Sequence, residues 1–218
     1  MVTNTTQLPF KNGERILFQG DSITDTGRRR DLFYDLGQGY VAQVSGLIST
    51  LFPELKVEIL NRGNSGNRSS ELIGRWQTDC IDLHPDWLSL FIGVNDVWRK
   101  RTQPLGTLPF VPLDEFLLNC RTLLDQAKAA GVAHFVLVSP TLIDKYLQSD
   151  LNQLLEEYDA AVQELAKEYG AIYVPARQCI LKALANHPEI DWLADGCHPT
   201  AAGHAVIAAA WLKAVAGA

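Results

Sequence analysis

Three side chains of the right types for ester cleavage stand far apart in the chain: Ser22, Asp195 and His198. A serine hydroxyl is a weak nucleophile until a base takes its proton, and an imidazole does this when a carboxylate fixes its tautomer. Asp195-Gly196-Cys197-His198-Pro199 is short enough for one tight turn to present both acid and base. Ser22 closes Gly20-Asp21-Ser22, where the apolar run Ile16-Leu17-Phe18 stops. Attack on an ester carbonyl also requires donors for the oxyanion. The candidates are the N–H of Ser22, the N–H of Gly66 in Ser65-Gly66-Asn67, and the side-chain amide of Asn95 in Gly93-Val94-Asn95-Asp96.

Each piece also has an ordinary reading. Gly-Asp-Ser is common turn composition. Asp21 and Asp96 form a carboxylate pair of the kind that cleaves glycosides, or else hydrogen-bond their own loops. Ser65-Gly66-Asn67 before a helix resembles a phosphate cradle, but neither G-x-x-x-x-G-K-[ST] nor G-x-G-x-x-G is present there. Cys197 beside His198 reads as a small, semi-buried side chain.

The elements that must position these residues alternate strand and helix. Short apolar runs predict strands at about 15–19, 57–60, 87–92, 134–138 and 171–174. Helical spacing predicts helices over about 40–52, 69–83, 113–130, 150–169 and 200–215, with a short helix before 187. Pro53, Gly131 and Gly170 mark helix ends, and Ser69 or Ser70 is the expected N-cap of the second helix. Residues 1–14 read as a loose leader, 24–37 as a loop, and the stretch with Pro104, Pro109 and Pro112 as another loop. The alternation implies an α/β fold: a three-layer α/β/α sandwich on a five-stranded parallel sheet, fitting the flavodoxin-like order 2-1-3-4-5. Parallel strands end on one edge, so Ser22, Gly66 and Asn95 share a lip of the sheet. No linker or repeat divides the chain, and residues 1–218 read as a single domain.

The 218 residues are 47% hydrophobic and 20% charged, with a formal net charge of −6. An acidic chain whose longest basic run is Arg28-Arg29-Arg30 is a poor nucleic-acid binder. No apolar run approaches the ~20 residues of a membrane span. Met1 to Glu14 lacks the apolar core of a signal peptide. Cys80, Cys120, Cys179 and Cys197 are scattered, which suits a cytoplasmic protein with neither disulfides nor a metal site.

In these blocks the chain resembles the SGNH hydrolases, the GDS(L)-type esterase superfamily. Gly20-Asp21-Ser22, Ser65-Gly66-Asn67, Gly93-Val94-Asn95-Asp96 and Asp195-x-x-His198-Pro199 occur in the family's order across nearly the whole chain. Ile23 stands where many members have Leu, and no Gly-x-Ser-x-Gly elbow surrounds Ser22. The resemblance implies the SGNH hydrolase fold, catalysis by Ser22, His198 and Asp195, an oxyanion hole from Ser22, Gly66 and Asn95, and no metal or cofactor. Gly20-Asp21-Ser22-Ile23-Thr24-Asp25 and Gly93-Val94-Asn95-Asp96-Val97-Trp98 look most like bacterial intracellular carbohydrate acetylesterases. That narrower resemblance implies a cytoplasmic homo-oligomer deacetylating xylo-oligosaccharides. Asp21, Trp98 and Trp192 are then the candidate substrate contacts; Trp76, Trp87, Trp211 and His204 are expected to be structural. A short-chain carboxylesterase, thioesterase or lysophospholipase is the alternative activity, and a silent carbohydrate-binding protein the alternative of another class.

Overall fold

Strand β1 (Arg15–Gly20) is buried along nearly its whole length, because it pairs on both sides and carries apolar residues on both faces. It lies between β2 (Glu58–Asn61) and β3 (Trp87–Phe91), followed by β4 (His134–Val138) and β5 (Ile172–Val174). All pairings are parallel, in the order β2-β1-β3-β4-β5, as the alternation predicts. The computed structural model describes residues 7–102 and 109–217.

Helices cover both faces of the sheet. A short helix α1 (Ser22–Asp25) follows β1 directly, and α2 (Tyr40–Leu51) precedes β2. Then come α3 (Ser69–Asp79), α4 (Val94–Thr102), α5 (Leu113–Ala129), α6 (Asp150–Tyr169), α7 (Ala176–Asn186) and α8 (Ala201–Ala216). Helix α8 packs on α2 and α7, while α5 packs on α3 and α6. Tryptophans anchor both layers: the Trp211 indole of α8 donates to Ser89 Oγ of the central strand at 3.0 Å, and that of Trp76 in α3 donates to the Leu123 carbonyl of α5 at 3.0 Å. Both rings, and that of Trp87, are core, as their apolar settings suggest. Among the described residues, no helix is long and apolar enough to cross a membrane, and all four cysteines are free thiols.

The structure departs from the sequence-based elements in four places. The leader is not loose where it is described: Leu8 and Phe10 are buried, and the Phe10 ring lies 4.8 Å from Trp87 and 6.0 Å from Trp211. Residues 24–37 are not wholly loop, since α1 starts at Ser22. The stretch after Gly93 is helix, because Val94, Val97 and Trp98 fall at helical spacing within an otherwise charged segment; Pro104 lies outside the described residues. The N-cap of α3 is Arg68, not Ser69 or Ser70, since the Ser69 N–H is held from elsewhere in the fold, by Asp96.

Candidate active site

Gly20 ends β1 because nothing larger fits: a Cβ there would run into the Phe91 carbonyl and the Thr24 hydroxyl. The chain then turns at once into α1. Asp21 is its N-cap, with Oδ1 accepting from the Ile23 N–H at 2.9 Å. Ser22 is thus the first helical residue. Its N–H lies outside the helical ladder, and its side chain is only half-buried at the sheet edge.

The loop before α8 approaches the same edge. Leu193 and Pro199 form an antiparallel bridge, and the Ala194 N–H donates to the His198 carbonyl at 2.8 Å. Within this closed loop Asp195 Oδ1 accepts from the backbone N–H of His198 at 2.8 Å and of Cys197 at 3.0 Å. Its Oδ2 lies 2.7 Å from His198 Nδ1, and His198 Nε2 lies 3.0 Å from Ser22 Oγ. Desolvation works against the Asp195 carboxylate, but the hydrogen bonds from His198 and Cys197 outweigh it and hold its pKa down at about 2. The acid is therefore charged wherever the imidazole has to act.

Gly66 sits in its turn at φ +83°, and the Asn95 amide donates to the Asn67 carbonyl at 3.1 Å. That bond ties the start of α4 to the glycine turn and leaves the second amide hydrogen of Asn95 unused in it. Thus the sheet edge brings together the Ser22 hydroxyl, the His198–Asp195 pair and the Asn95–Gly66 segment.

The three expected substrate contacts fare differently. Trp98 is half-buried beside the imidazole, its ring centre 6.1 Å from that of His198. Asp21 is a correction: it is 1% exposed and occupied as a cap, so a sugar does not reach it. Burial pushes its pKa up to about 7, against the lowering effect of the Ile23 N–H. Trp192 donates from its indole to the His187 carbonyl at 2.9 Å and accepts at its own carbonyl from the Thr200 N–H at 3.0 Å. It braces the base of the His198 loop and lines a cavity of about 320 Å³ whose walls include neither Ser22 nor His198. His204 is structural, as expected: its Nδ1 accepts from the Tyr40 N–H at 3.2 Å, and burial lowers its pKa to about 4.

The supporting polar groups were less visible in the sequence. Asp25 Oδ2 accepts from Arg30 at 2.6 Å and from the Ser65 N–H at 2.9 Å. Asn61 accepts from the Gly63 N–H at 2.8 Å and donates to the carbonyls of Thr24 at 2.7 Å and Leu36 at 2.8 Å. Both join the Ser22 loop to the Gly66 loop. The Asn61-x-Gly63 turn was the available signal for the second. Of the Arg28-Arg29-Arg30 run in the loop after α1, Arg30 is thus tied to the buried Asp25. Among the described residues, no group of three or more His, Cys, Asp or Glu is placed to hold a metal ion.

The chain is 36% identical over 208 residues to an acetylxylan esterase of Geobacillus stearothermophilus, covering 94% of each. Its fold matches the crystal structure of Axe2, an acetylxylan esterase from that organism, with a TM-score of 0.86 at 36% identity over 94% of this chain and 95% of the other. It also matches LAE5, an α/β hydrolase enzyme from the metagenome of Lake Arreo, Spain, with a TM-score of 0.87 at 32% identity over 96% and 98%. Further matches are catalytic mutants of Axe2 in which a serine, an aspartate or a histidine is replaced by alanine. The model of the GDSL-like lipase/acylhydrolase family matches residues 18–206, and the chain belongs to that family.

Proposed function

We propose that this protein is a serine esterase that removes O-acetyl groups from xylo-oligosaccharides, with Ser22 as nucleophile, His198 as base and Asp195 as the acid that orients it. The observation that carries the proposal is the unbroken chain of short contacts from Ser22 Oγ to His198 Nε2 and from His198 Nδ1 to Asp195 Oδ2, at 3.0 and 2.7 Å. Ser22 Oγ attacks the acetyl carbonyl while its proton passes to His198 Nε2. Asp195 stays ionised and stabilises the imidazolium. The N–H groups of Ser22 and Gly66 and the Asn95 amide receive the oxyanion. The imidazolium then protonates the departing sugar hydroxyl, leaving an acetyl-enzyme. Water, losing its proton to His198, attacks that ester, and acetate leaves as Ser22 regains its proton. Trp98, beside His198, is placed for apolar contact with a sugar ring. The substrate class is supported by the acetylxylan esterase relative.

The same reading makes residues 1–218 one domain, supported by a single sheet over a continuous core. It makes the protein a cytoplasmic homo-oligomer that needs no cofactor, nucleic acid or membrane. The free thiols support the compartment, and the narrower family resemblance supports the assembly.

The test compares kcat/KM on acetylated xylo-oligosaccharides with that on p-nitrophenyl esters of lengthening acyl chains. The proposal expects the acetylated sugar to be preferred and activity to fall beyond acetyl. A maximum at longer acyl chains would assign a broader carboxylesterase or lysophospholipase role instead.

A further inference from the structure

Beyond β2, between the loops that follow α1 and β2 and the end of α3, lies a cavity of about 390 Å³ whose walls include Arg28, Arg30, Phe33, Arg62, Asn64 and Asp79. That volume is at the lower end of small-ligand pockets. Arg62 is the residue on which the site turns. Three arginines are among the buried polar residues: Arg62 at 7%, Arg68 at 5% and Arg177 at 3% exposure. Arg68 pairs with Glu71 and Arg177 with Glu156, but Arg62 has no carboxylate partner among the described residues. Its Nη1 donates to the carbonyls of Asn61 at 2.8 Å and Phe33 at 3.1 Å, and these neutral acceptors leave its charge unbalanced.

Burial depresses both Arg62 and Arg28, and a like charge adds to this in each case, Arg28 acting on Arg62 and Arg30 on Arg28, while Asp79 favours both charges and Asp25 and Asp35 favour that of Arg28. Arg28 Nη2 donates to the Gly63 carbonyl at 3.1 Å, while its buried Nε makes no hydrogen bond. The other charges here are largely spoken for. Arg30 pairs with Asp25 at 2.6 Å, and Asp79 with Arg75 at 2.8 Å. Asp31, also in the cavity wall, is exposed, so Arg28 and Arg62 leave an excess of positive charge there. A buried guanidinium with no carboxylate of its own is costly unless an anion joins it.

The geometry favours a planar anion on a ring. The Arg62 guanidinium carbon lies 4.4 Å from the Phe33 ring centre. Stacking on that ring occupies one face of the guanidinium and leaves its in-plane N–H groups for a carboxylate. Phe33 is 47% exposed and supplies apolar surface next to them. Asn64, at the cavity, and Gly63, whose carbonyl accepts from Arg28, belong to the same loop as Gly66.

We propose that Arg62 and Arg28 form a subsite for the carboxylate of a uronic acid carried by the acetylated oligosaccharide. The uronate carboxylate bridges the two guanidinium groups while its ring lies against Phe33. The subsite rests on the esterase reading for its biological use but binds independently of it, so the two fail separately. The test is calorimetric titration of the intact protein with sodium glucuronate, with glucose and inorganic phosphate as comparators. Glucuronate is expected to bind, more weakly as salt rises, and glucose not to bind. Arg62→Gln and Arg28→Gln should each weaken glucuronate binding ~10-fold or more, the loss expected for one charged hydrogen-bonded contact. Circular dichroism of both variants confirms that they are folded. Equal binding by either folded variant, absence of glucuronate binding, or binding of phosphate in preference to glucuronate would overturn the assignment.

Discussion

Asp96 and Ser69 are joined twice: Asp96 Oδ1 accepts from the Ser69 N–H at 3.0 Å and from the Ser69 hydroxyl at 2.5 Å. Both residues are fully buried, and Asn119 donates to the same hydroxyl at 3.0 Å. The contact spans the start of α3, just beyond the Gly66 turn, and the start of α4, beside Asn95. It is therefore a spacer between two of the proposed oxyanion donors. Removing its acceptor strands two buried donors, each worth about 1–3 kcal/mol. Asp96→Ala should lower the stability measured by urea unfolding by about 2 kcal/mol or more. Asp96→Asn, which keeps one acceptor oxygen, should cost less. Equal midpoints for the parent and Asp96→Ala would show that the contact holds nothing.

A change at Asp21 should show itself through pH. Burial raises the Asp21 pKa from 3.8 to about 7, so the folded state binds a proton that the unfolded state releases between those values. Stability contributed by this group is present below the unfolded pKa and is lost as pH rises toward 7. Asp21→Asn mimics the protonated form and keeps an acceptor for the Ile23 N–H. The melting temperature of the variant minus that of the parent should become more positive from about pH 5 to about pH 8. A difference independent of pH would mean that Asp21 does not titrate in this range.

Asn95 separates transition-state stabilisation from folding. Its amide is half-buried and bonded to the Asn67 carbonyl at 3.1 Å. Asn95→Ala should reduce kcat by about 10²–10³-fold, equivalent to ~2.7–4 kcal/mol, with a small change in KM. A rise in KM with kcat unchanged would place Asn95 in ground-state binding instead.

Much of this architecture was legible before the fold was seen, for identifiable reasons. The strands read as short apolar runs because the sheet is covered on both faces, as in Trp87–Phe91, where every residue is buried. Ser22, Gly66 and Asn95 could be assigned to one edge because parallel strands end together. What stayed hidden depends on tertiary partners. Nothing near Ser69 indicates that its N–H is held by Asp96, 27 residues away. Asp21 read as a substrate contact or as a residue bonded within its own turn, and its burial became visible only in the fold. The charged residues of Val94–Thr102 masked a helix, and Phe10 is anchored by tryptophans distant in sequence.

Everything in the proposed chemistry depends on Ser22 being the atom donor to the acyl group. The direct measurement is kcat/KM for p-nitrophenyl acetate in Ser22→Ala, with circular dichroism to show that the variant is folded. The mechanism predicts a folded protein whose turnover falls by on the order of 10⁴-fold or more. A folded Ser22→Ala protein that keeps the parent's turnover would contradict it.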